Sequence, residues 1–306
     1  MPFICYEPKT FNDEHEGIIA NANEIIEEYS AQGFSLTLRQ LYYQFVSRDL
    51  IANTQQSYKR LGGIISAGRR AGCIDWDAIE DRTRNVRKKP AWDDEADLIQ
   101  SCAWQFNIDM WADQGRRPEV WIEKDALLGV IEGVCNQLEV PFFSCRGYTS
   151  DSEVWGAGRR FRRQCLRHKQ DPVVIHLGDH DPSGMDMTRD IENRLNLFAG
   201  PEVDVQVIRI ALNMDQIEDQ GPPPNPAKMT DARAKRYVAK YGHESWELDA
   251  LEPSYMAQII EETVVGLRDE GQWSEAVARR QRGRDAIQAV ADRWGDVEDF
   301  VGESDE

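Results

Sequence analysis

The residues whose types and spacing best suit chemistry are Glu123, Asp179 and Asp181. The stretch Asp179-His180-Asp181-Pro182-Ser183-Gly184 follows an apolar run and precedes a helical pattern. Two carboxylates separated by one residue at a strand end can point into one cleft, and Gly184 lets the chain turn sharply into the helix. Glu123 closes an earlier apolar run and can converge on the same place. Such a carboxylate set suits Mg²⁺, which keeps much of its water and binds through one or two carboxylates together with substrate phosphate. The Asp-x-Asp spacing by itself equally describes solvated turn acids, and it gains weight only from its position beside Glu123. His180 reads as an outward-facing turn residue and His176 as a buried, hydrogen-bonded strand residue. A second reactive candidate lies in Leu38-Arg39-Gln40-Leu41-Tyr42-Tyr43. A phenol with its ordinary pKa of about 10 needs a proton acceptor or a nearby cation before its oxygen attacks anything. Arg39 lies one helical turn before Tyr43, on the same face. Neighbouring helix residues point in different directions, so one tyrosine of the pair can be core while the other is exposed.

The elements that must hold these residues follow from the apolar periodicity. Glu119 to Lys124, Val140 to Cys145, Pro172 to Gly178 and Val203 to Ala211 read as strands. Between them, Ala126 to Leu138, Glu153 to His168 and Met185 to Leu197 read as helices. This alternation predicts a parallel sheet with covering helices, whose ligands collect at the carboxyl ends of the strands, where Glu123 and Asp179 stand. Upstream, Glu14 to Tyr29 predicts a first helix. Ser35 or Thr37 can cap a second that carries Leu38 to Val46, and a third begins near Asn53 or Thr54. Lys59, Arg60, Arg69 and Arg70 lie on the third helix, and Asp75-Trp76-Asp77 is a candidate wing strand. Helices, tight turns and basic residues in this order fit a winged helix-turn-helix that binds DNA. A small helical bundle with a solvated basic face fits the same pattern. Thr83 to Pro90 reads as an exposed basic connector, and Asp93 to Trp111 as an amphipathic helix. Gly221-Pro222-Pro223-Pro224-Asn225-Pro226 is a loop, with a helix capped by Thr230 or Asp231 expected to follow. Trp246 to Leu251 is a strand or turn, Ser254 to Trp294 is strongly helical, and the last residues form a disordered acidic end.

The formal net charge of −18 weighs against nucleic acid as a partner only on average. Between Ser35 and Pro90 eleven Lys or Arg stand against five Asp or Glu, a balance of +6, which leaves −24 for the rest. One basic segment in an acidic chain permits local DNA binding while limiting adhesion elsewhere. Six cysteines without a C-x-x-C pair indicate neither a zinc ribbon nor a disulfide framework, so they are expected as reduced thiols. No long apolar run and no signal-like start is present, so a cytoplasmic, nucleoid-associated location is expected. The absence of G-x-x-x-x-G-K-[ST] removes the P-loop ATPase signature.

A strand-end glutamate followed later by Asp-x-Asp resembles the Toprim domain of topoisomerases, primases and several nucleases. Leu38-Arg39-Gln40-Leu41-Tyr42-Tyr43 resembles the arginine and double-tyrosine signature in the winged helix of the topoisomerase VI A subunit and its meiotic double-strand-break relatives. Glu123-Lys124-Asp125-Ala126 is similar to that family's Glu-Lys entry to the Toprim domain, Asp181-Pro182-Ser183-Gly184 to its Asp-Pro-x-Gly, and Glu247-Leu248-Asp249-Ala250-Leu251 to a late Glu-x-x-Ala-Leu segment. The motifs span Ser35 to Leu251 in the family's order, and the short chain resembles the "mini-A" proteins of mobile elements.

The resemblance implies a mixed α/β fold, a winged helix-turn-helix domain followed by a Rossmann-like, parallel-sheet Toprim domain. The expected domains are residues 1–90, a helical connector at 91–115, the metal-binding domain at 116–300 and an acidic tail at 301–306. It further implies that Tyr43 attacks a phosphodiester of double-stranded DNA and becomes linked to the 5′ phosphate. Arg39 would assist, and Glu123, Asp179 and Asp181 would hold Mg²⁺, with Glu123 also taking part in catalysis and Glu247 supporting. Two copies would face each other, each tyrosine working with the other copy's metal site, and a separate ATPase subunit would supply any strand passage. Lys59, Arg60, Arg69, Arg70 and Arg146 are candidate DNA contacts, with Arg159, Arg160, Arg162 and Arg163 as either channel lining or a solvated helix face. Two other functions fit the same residues: a Toprim nuclease that uses water, with Tyr43 structural, and a DNA-binding regulator without chemistry.

Overall fold

The computed structural model describes residues 3–79 and 89–302. The chain opens with three helices, α1 (Asp13–Ala31), α2 (Leu38–Ser47) and α3 (Gln55–Arg70). Each start is set by a side-chain cap. Asn12 caps α1 and Thr54 caps α3, while Thr37 and Gln40 satisfy each other's backbone N–H groups in a capping box at α2. Their apolar faces meet in one core that includes Ile25, Tyr29, Leu41, Phe45, Leu61 and Ile74, all almost fully buried.

The wing strand expected at Asp75-Trp76-Asp77 does not form. Asp75 accepts from the backbone N–H of Asp77 at 2.9 Å, a local turn bond that competes with a strand ladder. Arg69 lies over the Trp76 ring at 4.6 Å and donates to its carbonyl, which fixes the turn against the end of α3. Isolated bridges tie Cys5 to Ala71 and Leu36 to Ile79. The basic connector from Thr83 lies outside the described residues except for Lys89 and Pro90.

Helix α4 (Glu95–Gln105) ends well before Trp111, which turns inward and donates its indole N–H to the Leu138 carbonyl at 3.0 Å. The sheet then builds by alternation: β1 (Arg116–Ile122), α5 (Leu128–Gln137), β2 (Phe142–Ser144), α6 (Asp151–His168), β3 (Asp171–Leu177), α7 (Pro182–Ala199) and β4 (Gln206–Ala211). All pairings are parallel and the strand order is β2-β1-β3-β4. Period-two burial divides its side chains between two cores. Val120, Ile122, Val173 and Ile175 pack with α5, while Trp121 and Val174 pack with α6 and α7. This is the mixed α/β architecture with a four-stranded parallel sheet that the alternation predicts.

The chain continues through α8 (Met214–Gln220), a two-stranded ribbon of β5 (Asn225–Pro226) and β6 (Glu244–Ser245), and α9 (Ala234–Tyr241) between them. A 3-10 turn at Leu248–Ala250 leads to α10 (Pro253–Val265), α11 (Glu270–Ala291) and α12 (Trp294–Gly302). The stretch from Ser254 to Trp294 is helical as expected, divided among these three helices. Helix α2 rests on the 3-10 turn, Ala250 joins the core of the first three helices, and Gln44 donates to Glu252 at 3.0 Å. Among the described residues no helix is long and apolar enough to cross a membrane.

Candidate functional site

The order β2-β1-β3-β4 reverses direction between β1 and β3, and the crevice at the carboxyl ends of such neighbouring strands is where open α/β sheets take ligands. Ile122 pairs with Leu177, so the next residues, Glu123 and Gly178-Asp179, emerge side by side. The Glu123 N–H donates to the Leu177 carbonyl at 2.8 Å, and Glu123 Oε2 accepts from the backbone N–H of Asp179 at 2.8 Å. Asp179 Oδ1 accepts from the Leu248 N–H at 2.8 Å and from Lys124 Nζ at 2.9 Å. Asp181 is half-buried, and its Oδ1 caps α7 by accepting from the Gly184 N–H at 2.6 Å and from the Ser183 hydroxyl at 3.0 Å. Glycine is required at 184 because a Cβ there would sit 2.2 Å from the Asp179 carbonyl oxygen.

Three carboxylates drawn together in a largely dry crevice repel one another. Burial, and then the Asp179 and Asp181 charges, push the Glu123 carboxyl up to about 7, and burial raises Asp179 as well in spite of Lys124. Among the described residues no group of three or more Asp, Glu, His or Cys side chains is gathered closely enough to enclose a metal ion. Mg²⁺ asks for less, since one or two carboxylates with water and phosphate complete its shell. The residues fit that demand: Glu123 and Asp179 stand side by side with their carboxyls raised by burial, which a bound cation would relieve, and Asp181 has one oxygen not engaged in the cap.

Residues beyond the expected set shape the crevice. Lys124 follows Glu123 and joins Asp179, Asp249 at 2.5 Å and Glu247 at 2.9 Å. Burial alone would lower its pKa, but these three carboxylates hold it above the ordinary lysine value. Arg39 reaches the same acids, pairing with Glu247 and with Asp249 at 3.5 Å. The Asp249 side chain is fully buried and its Oδ1 has no hydrogen-bond partner. Arg209, on β4, lies beneath the turn and donates to the carbonyls of Gly178 at 2.9 Å, Asp179 at 2.7 Å and Leu212 at 3.1 Å. Burial lowers its pKa to about 10, so it stays charged near neutral pH. A lone arginine inside the apolar run Val203 to Ala211 was the available signal for this brace, because a buried guanidinium must find carbonyl or carboxylate partners. Nothing in the Pro-rich loop pointed to Asn225.

The two tyrosines of α2 have different environments. The Tyr42 hydroxyl donates to Asn53 Oδ1 at 2.9 Å and lies 3.2 Å from the Thr54 carbonyl. Tyr43 is 4% exposed and faces the charged crevice, with Arg39 over its ring at 5.8 Å and the Asn225 side chain nearby. Burial and Glu247 push the Tyr43 hydroxyl up to about 12, against Arg39, Asn225 and Lys124, which favour the phenolate. Burial would raise Glu247, yet Lys124 and Arg39 bring it down to about 2. Tyr43, Arg39, Glu247, Lys124 and Asp179 thus form a continuous group within one chain.

The histidines divide. His176 is buried as expected, meets the Thr188 hydroxyl at 2.9 Å, and is held neutral by burial with a pKa of about 3. His180 is a correction: it is buried rather than outward-facing. A backbone bridge to Trp246 and a 2.7 Å contact with the Tyr237 hydroxyl turn its ring inward, and burial lowers its pKa to about 4.

The candidate DNA contacts lie on the surface and mostly have local partners. Lys59 is exposed, Arg60 pairs with Glu14 at 2.5 Å, Arg70 with Glu7 at 3.2 Å, and Arg146 with Asp125 at 3.1 Å. Arg69 is committed to Trp76 as described, and Arg160 pairs with Glu119 at 2.7 Å.

No protein-family profile, curated protein or solved structure matches this chain.

Proposed function

We propose that the chain is a DNA-strand-breaking protein that works at the crevice beyond β1 and β3. More particularly, we propose a transesterase of the topoisomerase VI A type, with a winged-helix first domain, a Toprim second domain and Tyr43 as nucleophile. The observation that supports it best is the continuous group from Tyr43 on α2 through Arg39, Glu247 and Lys124 to Asp179. A tyrosine, two cations and strand-end acids meet where a phosphodiester can be gripped and attacked.

In the state seen, the Arg39 charge is shared by Glu247 and Asp249, so Tyr43 stays protonated. A DNA phosphate entering the crevice competes with these acids for Arg39 and Lys124 and draws the two cations onto itself. The Tyr43 oxygen then attacks phosphorus as its proton departs to solvent. The bond to the 3′ oxygen breaks, that oxygen takes up a proton, and the 5′ phosphate remains on Tyr43. Glu247, held near pKa 2, is a weak base and serves to place the cations. Mg²⁺ held by Glu123 and Asp179, with Asp181 at the edge, would supply charge neutralisation at the phosphate. The partners proposed are double-stranded DNA and a second copy of the chain, with any ATPase supplied separately.

A water-using Toprim nuclease is favoured by one observation, the burial of Tyr43 and its raised pKa. Asp181→Asn tests the acid site that both readings share. Asn retains the cap of α7 and removes the charge. Thermal stability is expected to stay within about 0.5 kcal/mol, while Mg²⁺-dependent cleavage of supercoiled plasmid is lost. Full cleavage by this variant and by Asp179→Asn would remove the site assignment.

A further inference from the structure

A second basic stretch escapes the average charge of the chain. From Lys228 to Tyr241 there are five Lys or Arg against one Asp, a local balance of +4 in a protein of net charge −18. The stretch carries α9, which stands against α7 across a cleft of about 450 Å³ that starts at Pro182, the residue after Asp181. That volume lies in the range of small-ligand sites. Its walls supply Arg189, Arg233, Arg236 and Lys240 with the rings of Tyr237 and Tyr241.

The acids near the cleft are already engaged. Asp186 pairs with Arg189 at 2.7 Å and with Arg233 at 2.9 Å, and it accepts the Tyr148 hydroxyl at 2.8 Å. Asp231 takes the other side of Arg233 at 3.1 Å. Arg236 and Lys240, one turn apart on α9, have no ion-pair partner among the described residues, and Lys240 lies over the Tyr241 ring at 4.7 Å. The inner wall is fixed, because the Tyr237 hydroxyl contacts His180 Nδ1 at 2.7 Å and the His180 carbonyl at 2.8 Å. The cleft is therefore a preformed recess with two uncompensated cations and an aromatic wall, attached through His180 to the acid-bearing turn.

We infer that this cleft is a phosphate subsite that holds the DNA backbone beside the crevice, with Arg236 and Lys240 gripping phosphate and Tyr241 supporting the adjoining sugar or base. The inference rests on the DNA-breaking reading and names a contact surface that reading does not require. Each phosphate neutralised by a cation adds about 0.9 to the slope of log affinity against log salt. The test is the affinity of the full chain for a short DNA duplex across a salt series, in EDTA so that no chemistry intervenes. Arg236→Gln with Lys240→Gln is expected to flatten the slope by about 1.8. Lys228→Gln with Lys235→Gln, an equal loss of exposed charge outside the cleft lining, is expected to change it much less. Equal flattening by both pairs, or none by the first, overturns the inference. Titration with inorganic pyrophosphate and with dAMP separates the other source of the same chemistry. Binding of either that is lost in the first pair while the DNA slope is unchanged assigns the cleft to a free nucleotide and overturns the DNA assignment. A missing protein–DNA adduct would count against the transesterase reading alone and leave this slope as expected.

Discussion

The acid crevice makes Mg²⁺ affinity depend on pH through Glu123. Its carboxyl titrates at about 7 instead of 4.5, because it is buried beside Asp179 and Asp181. At pH 6 only about 9% of such a group is ionised and at pH 8 about 91%, so Mg²⁺ affinity should rise about tenfold over that interval and level off above it. The same group acts on stability with a definite sign. A folded pKa above the unfolded value means a contribution that is full below about 4.5 and lost as pH rises through about 7, amounting to about 3 kcal/mol for a single group. In EDTA, therefore, this group lowers the melting temperature between pH 5 and about pH 8, and saturating Mg²⁺ offsets the loss at the upper end. Glu123→Gln keeps an acceptor for the Asp179 N–H and removes the titration, so its melting temperature should be the flatter of the two across this range. Calorimetric titration of Mg²⁺ at pH 6 and pH 8 measures the affinity directly, and melts in EDTA measure the stability. Equal Mg²⁺ affinity at both values, or a pH dependence of stability as steep in Glu123→Gln as in wild type, would refute the reasoning.

Other consequences follow from particular contacts. Gly184→Ala should destabilise the fold by more than about 2 kcal/mol, because its Cβ would lie 2.2 Å from the Asp179 carbonyl oxygen, and denaturant melts will show whether it does. Tyr42→Phe leaves Asn53 and the Thr54 carbonyl without the phenol and should cost about 1 kcal/mol in the same assay while keeping activity. Chains carrying Tyr43→Phe mixed with chains carrying Asp179→Asn should remain inactive, because one chain joins both residues through Lys124 and Glu247. Recovery of nicking in the mixture would show that each tyrosine serves the partner's acids, as the family resemblance implies.

The parallel sheet was legible in the sequence because strand and helix periods alternate cleanly from Glu119 to Ala211, and the neighbourhood of Glu123 and Asp179 follows from that alternation once β1 and β3 are adjacent. The starts of α2 and α3 were legible because Thr37 and Thr54 are caps with a local mechanism. The wing was not, since an aspartate turn and the stacking of Arg69 on Trp76 outweigh strand propensity there. His180 was misplaced because a residue between two site acids looks like a solvent-facing turn, whereas a bridge to Trp246, distant in sequence, turns it inward. Lys124 stood in a quoted motif, yet its ties to Asp249 and Glu247 depend on the late 3-10 turn folding back. Arg209 left one signal, its place inside an apolar run, but the carbonyls of Gly178, Asp179 and Leu212 that it braces come together only in the fold.

The central claim is that the Tyr43 oxygen becomes bonded to DNA. The most direct measurement incubates the protein with 3′-end-labelled DNA and Mg²⁺, denatures it with detergent, and follows label that migrates with protein until protease is added. Wild type and Tyr42→Phe should both retain label, Tyr43→Phe should retain none while still binding DNA, and peptide mapping should place the phosphate on Tyr43. Free 5′ phosphates without retained label, produced equally by wild type and Tyr43→Phe, would contradict the account and assign the chemistry to water.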